Sequence, residues 1–597
     1  MRKQAKCPID KNYGKQAKCP IDKNYGKQAK CPIDKKWTSL TALAPEAALN
    51  MRSLVDSSTS VSHVLRLSLL ARCREMPLVL QFLRNVVSLN TRKRAVAQHS
   101  RGLSVLAGLA VEQGKPYLMP SLAGRPRNVC SPPHIWRIEE DEMSTMAERV
   151  EALRAYFRSG ATRPIAWRQA QLLALRSLLE ENEKELAQAL FEDLGKSEVE
   201  AWVSETGFLL NELKHALRSL PQWMRPQKVS TPLTAQPGKS RVLSEPKGVI
   251  AIIGPWNYPV QLVLAPAIAA IAAGNCAMLK PSELAPQSAA LIAKLLPRYL
   301  DPKAFDVVLG GIPESTELLE ARFDHIFFTG GTGVGRIVMQ AAARHLTPVT
   351  LELGGKSPAI VLENAQLEVT ARRLVWGKFL NAGQTCVAPD YVLVASALHD
   401  SLLDAMTQEL QRMLGDPKQS RDYGRIISHR HCARLEGLLE GLELVCGGEV
   451  DCEKRYFAPT IARNVSPDAP VMQEEIFGPI LPVLRIDSDE QAVDFVNARP
   501  HPLALYVFSE DGKRARRLVE QCPSGGACIN DVILHLGVLE LPFGGIGESG
   551  MGAYHGKRGF DELSHQRGLL QRSTSFDTKL RYPPYDENSL RWLKRLL

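Results

Sequence analysis

Three side chains in this sequence could together run acyl chemistry on a carbonyl. Cys386 ends the run Asn381-Ala382-Gly383-Gln384-Thr385-Cys386. Glu352 stands thirty-four residues earlier, in Leu351-Glu352-Leu353-Gly354-Gly355-Lys356. Asn257 precedes it by ninety-five residues, in Gly254-Pro255-Trp256-Asn257-Tyr258-Pro259. A thiolate adds to an electrophilic carbonyl carbon, an amide N–H steadies the oxyanion so formed, and a carboxylate activates water. Those are the parts needed to oxidise an aldehyde through a thioester. Each residue also has a plain structural reading. A lone Cys is commonly a buried apolar residue, an Asn before Tyr258-Pro259 can form a turn, and a strand-end Glu can pair with a neighbour.

The elements that must position these groups follow from the apolar pattern. Gly248–Ile253 reads as a buried strand, Val260–Ala273 as an Ala-rich helix and Cys276–Leu279 as the next strand. Gln287–Leu300 reads as helix, Phe305–Leu309 and His325–Phe328 as strands, and Gly335–Ala343 as helix. A second series follows Leu353, with strands at 359–362 and 391–396 and helices at 366–380 and 398–413. Strand signals recur at 504–508 and 526–529. Such alternation predicts an α/β fold with parallel, doubly wound sheets. Two α/β layers joined near 350 imply a cleft, with Glu352 and Cys386 just past the join. Residues 226–247, rich in Ser, Thr, Pro and Gly with short β-branched runs, read as a hairpin arm.

A nucleotide site is also legible. Phe327-Phe328-Thr329-Gly330-Gly331-Thr332-Gly333-Val334-Gly335 follows a strand and opens a helix. Gly330, Gly331 and Gly335 would let backbone approach a pyrophosphate at a helix N-terminus. Gly355-Lys356-Ser357 looks like the end of a P-loop, but Thr350 stands where its first glycine is required. His429, His431 and Cys432 resemble a metal cluster but lack a fourth ligand, and read as surface or helix-cap residues, so no metal is expected.

These motifs and spacings resemble the aldehyde dehydrogenase superfamily over residues 146–585, and the run 381–391 resembles its class 3, the fatty and aromatic aldehyde branch. The resemblance implies a Rossmann-like coenzyme domain, an α/β catalytic domain and a small β oligomerisation arm. In that arm residues 226–247 would meet the segment after Gly559. It implies NAD or NADP as cofactor, Cys386 as nucleophile, Asn257 with the Cys386 N–H as oxyanion donors, and Glu352 as base. Lys280 and Glu283 match the pair that clamps the adenosine ribose. Glu475 and Phe477 match the residues that hold the nicotinamide ribose and ring, with Trp256 also assigned to the coenzyme site. The other reading of Glu474 and Glu475 is a solvated surface pair. Many members have Ser where Gly331 stands, so a side-chain phosphate contact would be missing. The resemblance further implies medium- or long-chain aliphatic, or aromatic, aldehydes as substrates, and a homodimer. Trp376 and Phe379 could line an apolar channel or simply pack the core. CoA-acylating relatives lack the Glu that stands here as Glu352, and a non-catalytic paralogue would have lost one of the three chemical residues.

The resulting domain plan is an extension at 1–142, an NAD(P)-binding domain at 143–350 that includes the arm, and a catalytic domain at 351–540. An active-site loop, a return to the coenzyme domain and a C-terminal arm and tail fill 541–597. Residues 1–142 carry 24 Lys+Arg against 11 Asp+Glu, and the remainder 50 against 53. The excess basicity of the chain thus lies in the extension, and nothing supports nucleic-acid binding by the body. Lys-Gln-Ala-Lys-Cys-Pro-Ile-Asp-Lys occurs three times, at 3–11, 15–23 and 27–35. It reads as a disordered tail, as a translated DNA repeat before the true start, or as an array using Cys7, Cys19 and Cys31. Residues 60–89 are basic and amphipathic but lie too deep for an ordinary transit segment, and 116–142 read as a linker.

The twelve cysteines include no C-x-x-C pair, which fits free thiols in a reducing compartment. A cytoplasmic location is expected, with a peripheral membrane or organellar one as the alternative. No apolar, uncharged stretch of 18 residues predicts a spanning helix. The end, Ser589 to Leu597, is basic and amphipathic. Some relatives of the resembled class end in a membrane helix or prenylation box, but Lys594 stands where the prenylated Cys would be. At most a peripheral membrane contact is expected.

Overall fold

A computed structural model describes residues 145–596. The expectations for the repeat, the basic segment at 60–89 and the linker lie outside the described residues.

The sheet that carries Glu352 has six strands. In spatial order they are Gly550–Met551, Val349–Glu352, His325–Thr329, Val249–Ile253, Cys276–Lys280 and Phe305–Val307. The last five are parallel, and the short first strand runs antiparallel to its neighbour. Every residue of Val249–Ile253, Cys276–Lys280 and His325–Thr329 is buried, as expected for strands covered on both faces. The chain builds outward from Val249–Ile253 on one side and then returns to build the other. Its direction reverses between Val249–Ile253 and His325–Thr329. Ligands of open parallel sheets bind beyond the carboxyl ends of the strands at such a reversal.

Gln261–Ala273 is buried along its whole length, so it is a core helix without a polar face. It ends on Gly274, whose φ of +88° is left-handed and whose N–H reaches back to the carbonyls of Ala270 and Ile271. A Cβ there would also run into the Arg168 guanidinium. Ahead of it in sequence, one helical stretch runs through Glu198–Ala201, a π-turn at Trp202–Thr206, and Gly207–Trp223.

The second sheet has seven strands: Glu443–Cys446, Thr460–Arg463, Ile480–Ile486, Tyr391–Ala395, Pro358–Val361, Ala504–Phe508 and Gly526–Ile529. Only the first pair is antiparallel. The first three of these strands were not among the sequence expectations. Pro482 argues against an inner strand, because proline cannot donate to a ladder. It is tolerated because Ile480–Val483 registers with Thr460–Arg463 on one side, whereas pairing with Tyr391–Ala395 begins only at Val483.

The hairpin arm is present as Gln227–Val229 and Gly238–Pro246. Gly238–Pro246 pairs along its whole length, antiparallel, with Ser564–Arg572. Val229, Leu569 and Leu570 on this small sheet, and Leu233 in the turn between its first two strands, are exposed.

Candidate active site

Cys386 follows the helix Leu367–Phe379 and the tight turn Leu380–Gly383. Asn381 and Ala382 both have φ of +51°, and Gly383 +74°. Two successive non-glycine residues in the left-handed region cost roughly 1–2 kcal/mol each, so the surroundings must hold them. They do so through backbone-directed hydrogen bonds. Asn381 N–H donates to Glu200 Oε1 at 2.8 Å. Asn381 Nδ2 donates to the carbonyls of Asn257 at 2.8 Å and Gln384 at 3.1 Å. Gln384 Nε2 donates to the carbonyls of Asn381 and Arg425, both at 3.0 Å, and its Oε1 accepts from Ile427 N–H at 2.9 Å. The Thr385 and Tyr258 hydroxyls lie 2.6 Å apart.

Asn257 arrives on the segment that leaves Val249–Ile253. It is 2% exposed, and its Nδ2 donates to the Gln384 carbonyl at 3.0 Å. A primary amide has two N–H groups, so one remains to face the cavity that Asn257 and Cys386 both line. The turn reading and the donor reading of Asn257 are therefore compatible. Glu352 ends the strand Val349–Glu352 and is 3% exposed. Neither of its carboxylate oxygens has a hydrogen-bond partner. Burial, and then the Glu562 charge, push its pKa well above the usual carboxylate range. A strand-end carboxylate neutralised by a partner is thus not what stands here.

Two cavities meet at these residues. One, of about 220 Å³, is walled by apolar groups including Phe208, Trp376, Ile533 and Phe543. The other, of about 280 Å³, is lined by Trp256, Asn257, Gly330, Gly331, Glu475 and Phe477. Cys386, Glu352, Leu262, Thr329 and Leu353 line both. Burial pushes the half-buried Cys386 thiol up to about 12, with the Glu475 and Glu352 charges adding to the shift. The N–H groups of Cys386 and Val387 act the other way.

The second cavity brings together most of the residues expected to hold a dinucleotide. It lies beyond the carboxyl ends of His325–Thr329 and Val349–Glu352, beside the reversal point. Gly330 and Gly331 open the helix Thr332–Ala343, and Gly331 has open space where a side chain would start. The Thr329 hydroxyl is buried without a partner and faces this space. The fit to a pyrophosphate with attached nucleosides is good: backbone N–H groups, glycine clearance and an orphaned hydroxyl converge there. Glu475 packs against Gly354, where a Cβ would collide with its carboxylate. Burial, and then Asp390, push Glu475 up to about 8, while the Gly355 N–H, Lys356 and Lys378 pull it down. Glu474, by contrast, is exposed and pairs with Arg434 at 2.9 Å, so only one of the two acidic neighbours is a surface residue. Trp256 meets Phe477 edge-on at 5.2 Å.

Three expected residues stand outside that cavity's lining. Lys280 closes the strand Cys276–Lys280, with Nζ 3.4 Å from Glu283 Oε2 and 2.8 Å from the Gly310 carbonyl. Gly335 lies one helical turn in, against Leu353, where a Cβ would not fit. Its part is close helix–strand packing.

Other residues were not foreseen. His431 and Arg434 line the second cavity, and the His431 ring is 5.0 Å from that of Trp256. The surface or helix-cap reading holds for His429, exposed at the start of its helix, and is corrected for His431 and Cys432. Ser428 caps the helix His429–Gly437, His431 turns inward, and Cys432 is fully buried. Cys432 forms a disulfide with Cys452, their Cα atoms 5.5 Å apart. This departs from the expectation of free thiols and could not be read from a spacing of twenty residues. Among the described residues Cys276, Cys386, Cys446, Cys522 and Cys528 are free. Trp376 lines the apolar cavity, whereas Phe379 lines a separate one beside it. Phe208, Tyr554 and His555 also line the apolar cavity, and they left no signal because each comes from a distant element.

Comparison with known proteins agrees with this geometry. Residues 127–568 match the sequence profile described as "Aldehyde dehydrogenase family". The chain is 48% identical over 445 residues to "Aldehyde dehydrogenase, dimeric NADP-preferring" of Canis lupus familiaris, covering 74% of this chain and 98% of that one. It is 48% identical over 455 residues to "Aldehyde dehydrogenase family 3 member A2" of Mus musculus, covering 76% and 94%. Among solved structures, the substrate-bound Staphylococcus aureus AldH superposes with a TM-score of 0.74 at 43% identity, covering 76% of this chain and 99% of that one. A profile matched over most of the described residues, relatives matched over almost their whole length and a shared α/β architecture place the chain in one family: it belongs to the aldehyde dehydrogenases.

Proposed function

We propose that Cys386, Glu352 and Asn257 carry the reaction of this NAD(P)-dependent aldehyde dehydrogenase, which oxidises aldehydes to carboxylates. The observation that carries the assignment is that Cys386 and Glu352 stand at the junction of an apolar cavity and the cavity lined by Gly330, Gly331, Glu475 and Phe477. An aldehyde entering the first would meet the thiol where the second ends.

The raised pKa of the Cys386 thiol means it needs a base before it can add to the carbonyl. Glu352, with both oxygens free and lining both cavities, is the carboxylate at the junction suited to take that proton. Addition forms the Sγ–C bond and moves charge onto the carbonyl oxygen, where the Asn257 amide and the Cys386 N–H would receive it. Bound NAD(P)+ supplies the hydride acceptor that converts the adduct to a thioester. Glu352 releases that proton to solvent and then removes one from water, the water oxygen adds to the thioester carbon, and the C–S bond breaks as the Glu352 proton passes to the sulfur and restores the thiol. Trp256, Gly330, Gly331, Glu475 and Phe477 would hold the coenzyme against Cys386, with Lys280 and Glu283 further along it and Gly335 securing the helix.

The apolar walls of the substrate cavity support medium- or long-chain aliphatic, or aromatic, aldehydes. The exposed leucines of the three-stranded arm, together with the word "dimeric" in a relative's name, support a homodimer built through that arm. The helix Glu587–Leu596 exposes Leu590 and Trp592 beside Arg591, Lys594 and Arg595, which supports a peripheral contact with an anionic membrane surface. Among the described residues no helix is long and apolar enough to cross a membrane. A steady-state panel of aldehydes from two to sixteen carbons, with NAD and NADP compared, tests the substrate reading. It requires kcat/KM to rise with chain length, and preference for acetaldehyde would overturn it.

A further inference from the structure

The nucleophile loop is anchored by a carboxylate that the reaction itself does not use. Glu200 accepts the Asn381 N–H at 2.8 Å, at the first of the two left-handed residues that lead to Cys386. Glu200 belongs to a buried cluster. Lys196 is 1% exposed, Glu205 0% and Glu200 8%. Lys196 Nζ donates to Glu205 Oε1 at 2.5 Å and to the Asn257 carbonyl at 3.0 Å, and sits 3.9 Å over the Tyr258 ring. Glu205 Oε2 in turn accepts the N–H groups of Val260 and Gln261 at 3.0 and 2.8 Å. Glu205 is thus saturated by Lys196 and two backbone donors, and Glu200 is left with one.

A single buried cation facing two buried carboxylates leaves an excess negative charge, which is costly in a low-dielectric interior unless a proton is shared. The groups around Glu200 sharpen this. Lys196 approaches from the preceding loop, Glu205 from the π-turn, Asp422 and Tyr423 from the loop after His399–Leu414, and Tyr258 from one further loop. The acidic members add to the burden that Lys196 relieves. Burial raises Glu200 to about 7, with Lys196 and the Asn381 N–H opposing the shift.

The proton also has a route. Glu200, Ser204 and Asp422 line a cavity of about 320 Å³. It adjoins the apolar substrate cavity and shares Val203, Ser204, Trp376 and Leu380 with it. Glu200 therefore borders a space next to the site without lining the site itself.

We propose that Glu200 is a positioning residue for the nucleophile loop, and that the Lys196, Glu205 and Glu200 cluster holds one exchangeable proton that sets how firmly Asn381, and through it Cys386, is held. The ionised carboxylate makes a charge-assisted bond to Asn381 N–H, which is the stronger form. Protonation weakens that bond and loosens two residues whose backbone is disfavoured on its own. The idea rests on Cys386 being the nucleophile, but the loop it concerns can be read separately.

The test measures iodoacetamide labelling of Cys386, located by peptide mass, as a function of pH, beside steady-state kinetics. In Glu200→Ala, kcat is expected to fall about tenfold or more, the cost of a lost charge-assisted hydrogen bond, with both KM values within about twofold. In Glu200→Gln, which keeps an acceptor but no charge, kcat is expected to fall less. The step near neutrality in the Cys386 labelling profile should disappear, and Glu200→Asp should restore it in part. An unchanged kcat in a folded Glu200→Ala protein overturns the positioning role. A wild-type labelling profile in Glu200→Gln overturns the proton, and that variant decides alone if the alanine protein does not fold. Because labelling reads the loop and not turnover, it stands even if Cys386→Ala were to remain active.

Discussion

Asn257 and the loop of Cys386 are joined by one hydrogen bond, from the Asn257 side-chain amide to the Gln384 carbonyl at 3.0 Å. That bond links the end of the first parallel strand to the residue two before the thiol. It aligns the proposed oxyanion donor with the proposed nucleophile before any substrate arrives. Preorganisation of this kind is what makes a donor effective, since nothing needs to move as charge develops. Asn257→Ala should lower kcat by about 10²–10³, the usual loss for one oxyanion donor. It should also cost about 1 kcal/mol of stability for the lost tie, seen as a lower denaturation midpoint. A variant that loses stability but retains kcat would limit Asn257 to the structural role.

Cys386→Ala should abolish aldehyde oxidation and leave coenzyme binding intact. Among the free cysteines described, Cys386 alone stands where the two cavities meet. The checks are turnover of the purified variant and a binding titration with NAD and NADP. Turnover above background would refute the assignment.

Glu352→Gln should form the thioester and then stall. The first turnover should yield a burst of reduced coenzyme, with the acylated Cys386 visible in the intact mass. If Glu352 also deprotonates the thiol, the burst itself should slow. The pH dependence has a definite sign. Glu352 has a folded pKa raised by burial, so in the wild type ionising it opposes folding as pH rises above the ordinary carboxylate range. The Gln variant should therefore match the wild type in stability at low pH and exceed it increasingly from about pH 4.5 upward, near the ordinary glutamate value. Denaturant midpoints measured across pH check this. Normal turnover without acyl-enzyme would remove Glu352 from the role.

Gly354→Ala should displace Glu475, because the added Cβ would occupy the space of its carboxylate. KM for the coenzyme should rise about tenfold, equivalent to about 1.4 kcal/mol of lost binding, while KM for the aldehyde moves little. An unchanged coenzyme KM would show that Glu475 does not contribute to binding from this position.

The C-terminal helix should bind anionic vesicles and not neutral ones. Leu590 and Trp592 are each more than half exposed, with the basic residues beside them. Replacing both with Ser should abolish co-sedimentation with phosphatidylserine vesicles, and raising the salt should weaken it in the parent chain. Equal binding to neutral vesicles would remove the electrostatic part of the reading.

The parts that the amino-acid order determined by itself are those set by local chemistry. Alternating buried strands and helices from Val249 to Ala343 announced a parallel sheet, since strands covered on both faces must be continuously apolar. The glycines after His325–Thr329 announced a turn that a phosphate can approach. Cys386, Glu352 and Asn257 were legible because their neighbours form compact runs. What only the tertiary structure decided are relationships between segments far apart in the chain. Pro482 hid an inner strand whose pairing spares the missing N–H. His431 looked like a metal decoy and proved to face Trp256, because the helix carrying it folds over the coenzyme-side cavity. Glu474 and Glu475 are chemically identical neighbours, and only the placement of Gly354 and Arg434 separates a half-buried carboxylate from a surface one. Glu200, 186 residues before Cys386, carries no motif at all. Its bearing on the nucleophile exists only because folding buries it against a backbone N–H, where a charge is poorly hydrated.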